Sequence, residues 1–181
     1  MKHFLYFAVT CTLGALVVHG EERAPAKSAY VTASVMQSAG LSLDGEGFPG
    51  AGVASWLEKP ADRVVFLTGD WIALLSEIRR LGDVSVLSGN EAVMHLATGS
   101  YERFKGRDGS GLVTSKGIDL RLFPSGWTYA AAILPASGSA PGFIFFNSAG
   151  TPVHRILLTE TSNVAEFDAI VAQFKGAAPT L

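Results

Sequence analysis

The sequence predicts an α+β fold, built as a large antiparallel β-sheet meander flanked by helices. From Val84 onward, apolar and polar residues alternate with the two-residue period of β-strands for roughly seventy residues. The connections between these segments are short, and strands that are joined by short connections pair antiparallel. Amphipathic patterns with helical spacing stand before and after this region, at residues 70–82 and 163–174. Helices and strands that segregate along the chain in this way favour α+β over α/β.

The N-terminus is predicted to be a secretory signal peptide over residues 1–20. Lys2 and His3 precede the apolar run Phe4–Val18, and a small residue stands just before Glu21. The run has about fifteen residues, whereas a membrane-spanning helix needs roughly twenty. We therefore expect a periplasmic or secreted mature protein. The alternative is a cytoplasmic protein whose N-terminus only resembles a leader.

Residues 21–62 are interpreted as a lead-in with a short helix at 30–39 and a glycine-rich loop at 40–52. Cys11 is the only cysteine of the chain and lies in the leader. Cleavage of the leader would therefore leave no disulfide, thiolate metal site or cysteine nucleophile in the mature protein. The formal net charge of −2 shows no basic excess, so neither nucleic acid nor an anionic membrane is an expected partner.

The first element of the domain is a predicted strand at Arg63–Leu67, a short run of apolar, β-branched residues. Asp70 then suits the N-cap of an amphipathic helix, because apolar residues follow it at helical spacing and Gly82 stands just beyond the last turn. We expect this helix to cover the sheet.

The strands of the meander follow. Val84–Leu87 and Glu91–Leu96 are predicted to form a hairpin about the turn at residues 88–90, and the glycine-rich segment 99–111 is predicted to be a mobile, solvated loop. Five further strands are expected at Leu112–Ser115, Ile118–Phe123, Trp127–Leu134, Phe143–Phe146 and Pro152–Leu158. The chain should then close with a helix that is capped by Asn163 and has an apolar face formed by Val164, Phe167, Ile170, Val171 and Phe174.

The stretch Gly117–Trp127 carries the strongest candidate site residue. Strict alternation places Ile118, Leu120 and Leu122 on one face of a strand and Asp119, Arg121 and Phe123 on the other. If the aliphatic face enters the core, Arg121 stands beside an aromatic ring where its planar guanidinium can meet a carboxylate. The alternative is an exposed sheet face on which Arg121 only pairs with Asp119 or a cross-strand acid.

The other candidate residues are sparse, because no glycine-rich phosphate loop, H-E-x-x-H motif or G-x-S-x-G motif is present. His95 and His154 lie in predicted strands, where an imidazole can ligate a metal or haem iron but is more often structural. Trp127, Tyr129 and the phenylalanines of segment 143–146 either line an apolar pocket or belong to the core.

Two longer motifs resemble the HemS/ChuX haem-utilisation family. They are I-D-L-R-L-F-P-S-G-W, from Ile118, and F-I-F-F-N-S-A-G-T-P-V-H-R-I-L-L-T-E, from Phe143. The resemblance covers residues 63–175 as one domain and leaves 176–181 as a tail. It implies a haem-binding domain in which Arg121 approaches the haem, while His95 and His154 occupy motif positions without an assigned role. Phe123 and Trp127 are the aromatic residues of the same motif.

The resemblance also has departures. Where the family usually has T-R-N-E and S-H-W, this chain has Ser88-Gly89-Asn90-Glu91 and Ser125-Gly126-Trp127, so an arginine and a histidine are lost. The chain carries one repeat, whereas the full-length degrading proteins carry two and take an axial histidine from the connecting segment. Single-repeat relatives form dimers, and a homodimer is the expected arrangement here.

Three functions are consistent with these observations. The leading hypothesis is a haem carrier or storage module of iron acquisition, with haem and unidentified haem-transport proteins as partners. The second is a haem-degrading oxygenase that acts as a dimer, although an exported protein would lack the family's cytoplasmic electron supply. The third is an exported structural or interaction domain that has lost haem binding. The sequence therefore favours a binding protein over an enzyme.

Overall fold

The computed structural model describes residues 52–58, 64–89, 94–134 and 140–180. The expected signal peptide and the short helix at 30–39 lie outside the described residues. The helices are α1 (Val53–Leu57), α2 (Trp71–Glu77) and α3 (Val164–Phe174), with 3-10 turns at Ile78–Leu81 and Pro124–Gly126. The strands are β1 (Val64–Leu67), β2 (Asp83–Gly89), β3 (Met94–Ser100), β4 (Phe104–Arg107), β5 (Ser110–Ser115), β6 (Ile118–Leu122), β7 (Trp127–Ile133), β8 (Gly142–Asn147) and β9 (Pro152–Leu158).

The strands form two antiparallel sheets, so the α+β prediction is confirmed. The larger sheet has six strands in the order β1-β7-β8-β9-β2-β3, and the smaller has three in the order β4-β5-β6. The strand order of the large sheet is not that of one continuous meander, because the chain leaves it after β3, builds the small sheet and returns at β7. The small sheet therefore forms a separate layer.

The main core lies between one face of the large sheet and a layer made of α2, α3 and the small sheet. Val86, Phe143, Phe145 and Ile156 project into it from the large sheet and are fully buried. Phe167 of α3 meets Phe143 with the ring centroids 4.9 Å apart. The large sheet therefore positions residues that come from distant parts of the chain.

The opposite face of the large sheet is also apolar. Phe66, Ala131, Ile144 and Phe146 form a second cluster there, and Val53 of α1 packs on it. Val53 also donates a backbone hydrogen bond of 2.8 Å to the carbonyl of Gly150. Arg155 lies on this face, since cross-strand pairing aligns it with Ile144 and Leu87. Burial lowers the pKa of the Arg155 guanidinium to about 10, so it remains charged at neutral pH.

The prediction of a mobile loop at residues 99–111 is wrong. Most of that segment forms the end of β3, all of β4 and the start of β5, with a tight turn at Asp108 (φ 50°) and Gly109 (φ 73°). Two consecutive positive φ angles are those of a type I′ hairpin turn, for which Asp-Gly is a preferred sequence. Gly106 and Gly111 pair with each other in strands β4 and β5, and both positions need glycine because a Cβ would strike Ile72 or the ring of Phe104.

The predicted pairing of β2 with β3 is present, but β2 continues through two of the residues that were predicted to form the turn. Ser88 and Gly89 are strand residues that pair with His95 and Met94. Residues 90–93, which connect the two strands, lie outside the described residues. Ser88 is held in the strand by its position between β3 and β9, which the local sequence does not reveal.

The two predicted amphipathic helices are capped as expected. The carboxylate of Asp70 accepts a hydrogen bond of 2.8 Å from the backbone N–H of Ile72, and the side chain of Asn163 accepts one of 3.2 Å from Glu166. Helix α2, the first of these two, is α-helical only to Glu77 and continues as the 3-10 turn Ile78–Leu81. Val164 was predicted on the apolar face of α3 but is 55% exposed, because as the first residue of the helix it extends past the edge of the core.

The segment after α3 pairs with the edge of the large sheet. Lys175 forms a bridge with Leu67 of β1, and Gly176 donates a backbone hydrogen bond of 2.9 Å to the carbonyl of Phe66. Thr68 donates in turn to the carbonyl of Phe174, also at 2.9 Å. The C-terminal tail therefore covers the outer edge of β1. Among the described residues, no helix is long and apolar enough to span a bilayer.

Candidate functional site

Arg121 lies on the outer face of the small sheet, as the alternation of β6 predicts. Ile118 and Leu122 point inward and are buried, and Leu120 packs partly against the same core. Asp119 and Arg121 are exposed on the other side. The strand thus contributes to stability with one face and leaves the other available for binding.

Phe123 follows Arg121 on this outer face and is one of the most exposed large apolar residues described, at 60%. The guanidinium carbon of Arg121 stands 5.9 Å from the centroid of the Phe123 ring, within the distance of a cation–π contact. Pro124, which is buried, begins a 3-10 turn immediately afterwards and fixes the backbone at this point. An exposed aromatic ring and a guanidinium therefore stand side by side.

A second cation and a second apolar residue extend this surface. Lys105, Leu112 and Arg121 are aligned across β4, β5 and β6, because Lys105 pairs with Leu112 and Leu112 pairs with Arg121. Directly paired residues of antiparallel strands project to the same face. Leu112 is 41% exposed and Lys105 is also exposed. We call Lys105, Leu112, Arg121 and Phe123 the outer-face site.

Sequence reasoning missed Lys105 and Leu112 as members of this surface. Lys105 was placed in a loop and Leu112 was read only as the start of a strand, so neither was related to Arg121. The signal that identifies them is the Asp108-Gly109 dipeptide, which predicts a hairpin and sets the register of its two strands.

His154 lies in a different environment, fully buried on β9. Its Nδ1 is 2.5 Å from the hydroxyl of Ser88 and its Nε2 is 3.0 Å from the hydroxyl of Tyr101. A neutral imidazole has one donor and one acceptor nitrogen, and the two hydroxyls satisfy both. With both nitrogens engaged and no solvent access, His154 fits the structural alternative better than the role of an iron ligand.

The protonation state of this network follows from its burial. Loss of hydration lowers the pKa of His154 to about 3, and His95 adds a smaller effect in the same direction. Burial also raises the pKa of the Tyr101 phenol above its ordinary value. Both groups are therefore neutral at pH 7, and the network is held together by hydrogen bonds between uncharged partners.

Trp127, the first residue of β7, stacks on the His154 ring of this network. Its ring lies 5.4 Å from that of His154 with an interplanar angle of 17°, and 4.6 Å from the ring of Phe145. Its backbone carbonyl accepts a hydrogen bond of 3.0 Å from the indole nitrogen of Trp71. Trp127 is half-buried, so most of its surface contacts protein.

His95 is exposed on β3, and its backbone pairs with that of Ser88. Because Ser88 also pairs with His154, the three side chains form a row on the same face of the large sheet. Only His95 in this row is accessible to an iron atom. Among the described residues, no group of three or more histidine, cysteine or acidic side chains is arranged to hold a metal ion.

The structure therefore divides the five predicted residues into two groups. Arg121 and Phe123 meet on the outer face of the small sheet, whereas Trp127 and His154 belong to the buried network, with His95 beside it. A cavity of about 370 Å³ lies elsewhere, between the β1 edge of the large sheet and the C-terminal tail, and Phe66, Trp71, Tyr129 and Pro179 contribute to its lining. None of the five predicted residues lines this cavity.

The chemistry of the outer-face site suits an amphiphilic anion. Its exposed apolar side chains can contact a flat hydrophobic surface, while its cations can pair with carboxylates at the edge of that surface. No ion pair among the described residues engages Lys105 or Arg121. A porphyrin that carries propionates has both properties, so the residues present fit haem.

The chain matches the family model described as the haemin-degrading HemS.ChuX domain over residues 54–174. The hemin transport protein HemS of Yersinia enterocolitica is 30% identical over 111 residues, which are 60% of this chain and 32% of that protein. The chain therefore spans about a third of the length of the curated relatives it matches.

Solved structures show the same architecture. Apo-PhuS, a heme-binding protein from Pseudomonas aeruginosa, is 33% identical with a TM-score of 0.60, over 64% of this chain and 34% of that one. ChuX is 17% identical with a TM-score of 0.52, over 70% of this chain and 92% of that one. The second likeness concerns the fold alone.

Proposed function

Because the chain belongs to the family of haemin-degrading HemS.ChuX domains, we propose that it is a haem-binding protein of haem uptake and iron acquisition. In this proposal it acts as a carrier or storage module. The observation that carries the proposal is the position of Arg121, exposed beside the ring of Phe123 on a face that contributes nothing to the core. Relatives named as a hemin transport protein and a heme-binding protein support the choice of ligand.

Arg121 would hold a haem propionate through a charge-assisted hydrogen bond, while Phe123 would contact the flat surface of the porphyrin. Such a bond to a charged group contributes roughly 1.5 to 3 kcal/mol, and less where water competes. An open site of this kind suits a protein that accepts and releases its ligand. His95 lies on the large sheet and not on the outer face, so its role as an iron ligand stays a prediction that is independent of the outer-face site.

The proposal is tested by hemin titration, followed by Soret absorbance, of the wild type, Arg121→Ala and Arg121→Lys. We expect Arg121→Ala to bind about ten- to a hundredfold more weakly, since each 1.4 kcal/mol is a factor of ten. Arg121→Lys keeps the charge but loses the planar fork, so its affinity should lie between the other two.

The matched control is Arg79→Ala, which removes an exposed arginine from the 3-10 turn after α2. It should bind hemin as the wild type does. Urea unfolding of all four proteins separates binding from folding, because Arg121 is not on the core face and its loss should change stability little. Equal hemin affinity of the wild type and Arg121→Ala would remove Arg121 from the site, and a large loss of stability would assign it a structural role.

A second function, haem degradation by a dimer, is favoured by the description of the family model. The two functions are separated by adding ascorbate and oxygen to the hemin-loaded protein. A carrier should retain its Soret band and pass intact haem to apomyoglobin, whereas an oxygenase should lose the band as the porphyrin is opened. The third function, a domain without haem binding, predicts no Soret shift in the first titration.

Localisation and assembly complete the proposal. We propose that residues 1–20 are removed on export and that the mature protein is periplasmic or secreted, which favours a carrier because the family's electron supply is cytoplasmic. We also propose that the protein forms a homodimer. Sedimentation velocity with and without hemin tests this, since a monomer in both conditions contradicts it.

A further inference from the structure

The cross-strand row of the small sheet places two cations on either side of an exposed leucine. We propose that Lys105 binds the second carboxylate of a planar dicarboxylate ligand whose first carboxylate is held by Arg121, with Leu112 beneath the ligand between them. The inference rests on the proposed function, because it takes a haem-type porphyrin as the ligand. The inference adds Lys105, which no sequence motif identifies, to the binding site. It also implies that the site distinguishes its ligands by the number of carboxylates that they carry.

The geometry of the row follows from its register. Lys105 and Arg121 are each paired with Leu112, so two strand spacings separate their backbones, which is about 10 Å. All three side chains leave the same face. Lysine and arginine are long and flexible enough for their charged ends to move toward or away from each other over such a distance. Two carboxylates that leave the same edge of a porphyrin can therefore be reached by both cations at once.

The charge of this face supports an anionic ligand. The outward residues of the three strands include Lys105, Arg107 and Arg121 but only one carboxylate, that of Asp119. Arg107 is already paired with Asp108 in the hairpin turn, at 3.0 Å. Lys105 and Arg121 have no such ion pair among the described residues. The chain as a whole carries a net charge of −2, so the positive face is local.

The apolar part of the row distinguishes a porphyrin from a small anion. Leu112 and Phe123 are two of the most exposed large apolar side chains described, and both neighbour Arg121, Leu112 on the adjacent strand and Phe123 two residues further along the chain. A phosphate or a short dicarboxylate would leave both in water. A flat ligand of porphyrin size would cover them, and removal of their apolar surface from water favours binding. The combination therefore favours a large, flat, doubly charged ligand.

The experiment compares two ligands on four proteins. Hemin and hemin dimethyl ester share the iron and the ring, but the ester has no free carboxylate. Soret titrations are made with the wild type, Lys105→Gln, Leu112→Ser and the control Lys116→Gln. Lys116 is an exposed lysine in the turn between β5 and β6, beyond the last residue pair of these strands, so it matches Lys105 in charge but lies outside the row.

We expect Lys105→Gln to bind hemin about tenfold more weakly than the wild type, as a charge-assisted hydrogen bond requires, and to bind the ester equally well. Leu112→Ser should weaken both ligands, because it removes apolar contact. Lys116→Gln should match the wild type with both. All four proteins should unfold at the same urea concentration, since the changed residues are exposed.

The results separate this inference from the proposed function. If the wild type binds neither ligand, the proposed function fails. If the wild type binds hemin and Lys105→Gln binds it equally well, the function stands and the inference is overturned. An equal loss for hemin and ester in Lys105→Gln would also overturn it, because the carboxylate would not be involved. Sedimentation with phosphatidylglycerol vesicles that depends on Lys105, together with unchanged hemin binding, would assign the face to an anionic lipid surface instead.

Discussion

Burial of His154 makes the stability of the fold depend on pH, and the dependence can be worked out from the structure. In the unfolded chain a histidine has a pKa near 6.5, whereas burial lowers the pKa of His154 in the folded protein to about 3. Between these values the unfolded state binds a proton that the folded state does not. The free energy of unfolding therefore falls as the pH falls from 6.5 toward 3, and the contribution of His154 is complete above pH 6.5.

The magnitude follows from the same linkage. Each pH unit below 6.5 removes up to about 1.4 kcal/mol for one proton. Between pH 8 and pH 5 the loss from His154 alone should therefore be about 2 kcal/mol. A loss of this size is a large part of the 5 to 15 kcal/mol that stabilises a typical domain.

The assay is urea unfolding followed by tryptophan fluorescence from pH 5 to pH 8, on the wild type and His154→Gln. Glutamine keeps a donor and an acceptor for Ser88 and Tyr101 but cannot be protonated. The variant should therefore lose the slope, which reaches about 1.4 kcal/mol per unit near pH 5, even if it is less stable throughout. His95→Gln is the matched control, because His95 is exposed, and it should keep most of the slope.

Two results would refute the reasoning. Parallel stability curves for the wild type and His154→Gln would mean that His154 does not resist protonation in the folded state. Titration of the His154 ring between pH 7 and pH 5, observed by NMR of the native protein, would contradict the low pKa directly and does not depend on the variant folding.

Three further outcomes are expected. Phe167→Ala should cost about 3 to 5 kcal/mol in urea unfolding, because it leaves a cavity against Phe143, while Val164→Ala on the exposed part of the same helix should cost less than about 1 kcal/mol. Gly117→Ala should destabilise by about 1 to 3 kcal/mol, since φ is +91° and its Cβ would lie 2.2 Å from the carbonyl oxygen of Thr98, whereas Gly126→Ala, with open space around it, should be neutral within about 0.5 kcal/mol. Mass spectrometry of protein expressed in a Gram-negative host should find a mature N-terminus near Glu21, and soluble protein that begins at Met1 or Lys2 would contradict the signal peptide.

Local patterns in the sequence predict much of the fold because they act over a few residues. The alternation of β6 places Arg121 outside and Ile118 inside, and the caps Asp70 and Asn163 mark the beginnings of their helices. These features depend on backbone geometry and hydrogen bonds within one element, so a single sequence contains the information needed to find them.

Features that depend on distant partners were not predictable in the same way. Ser88 and Tyr101 meet His154 across 66 and 53 residues of chain, and nothing near His154 in the sequence indicates either hydroxyl. Ser88 was interpreted as a turn residue because Ser-Gly-Asn is typical of turns, yet pairing with strands on both sides extends β2 through it. Glycines in the segment 99–111 suggested a loop, whereas Gly106 and Gly111 are small so that Ile72 and Phe104 can approach the backbone.

The pairing of the C-terminal tail with β1 also affects the tendency of the protein to aggregate. A sheet edge with unpaired N–H and C=O groups is a template for the edge of another molecule and a common start of aggregation. Here Lys175 pairs with Leu67, and the backbone N–H of Gly176 donates to the carbonyl of Phe66, so this part of the β1 edge is covered. Truncation after Phe174 would therefore expose unpaired N–H and C=O groups at the edge of β1 without removing any core side chain. Protein that proteases have cleaved at this point should aggregate during storage while its secondary structure is still intact. The residues after Phe174 therefore protect the sheet edge from self-association.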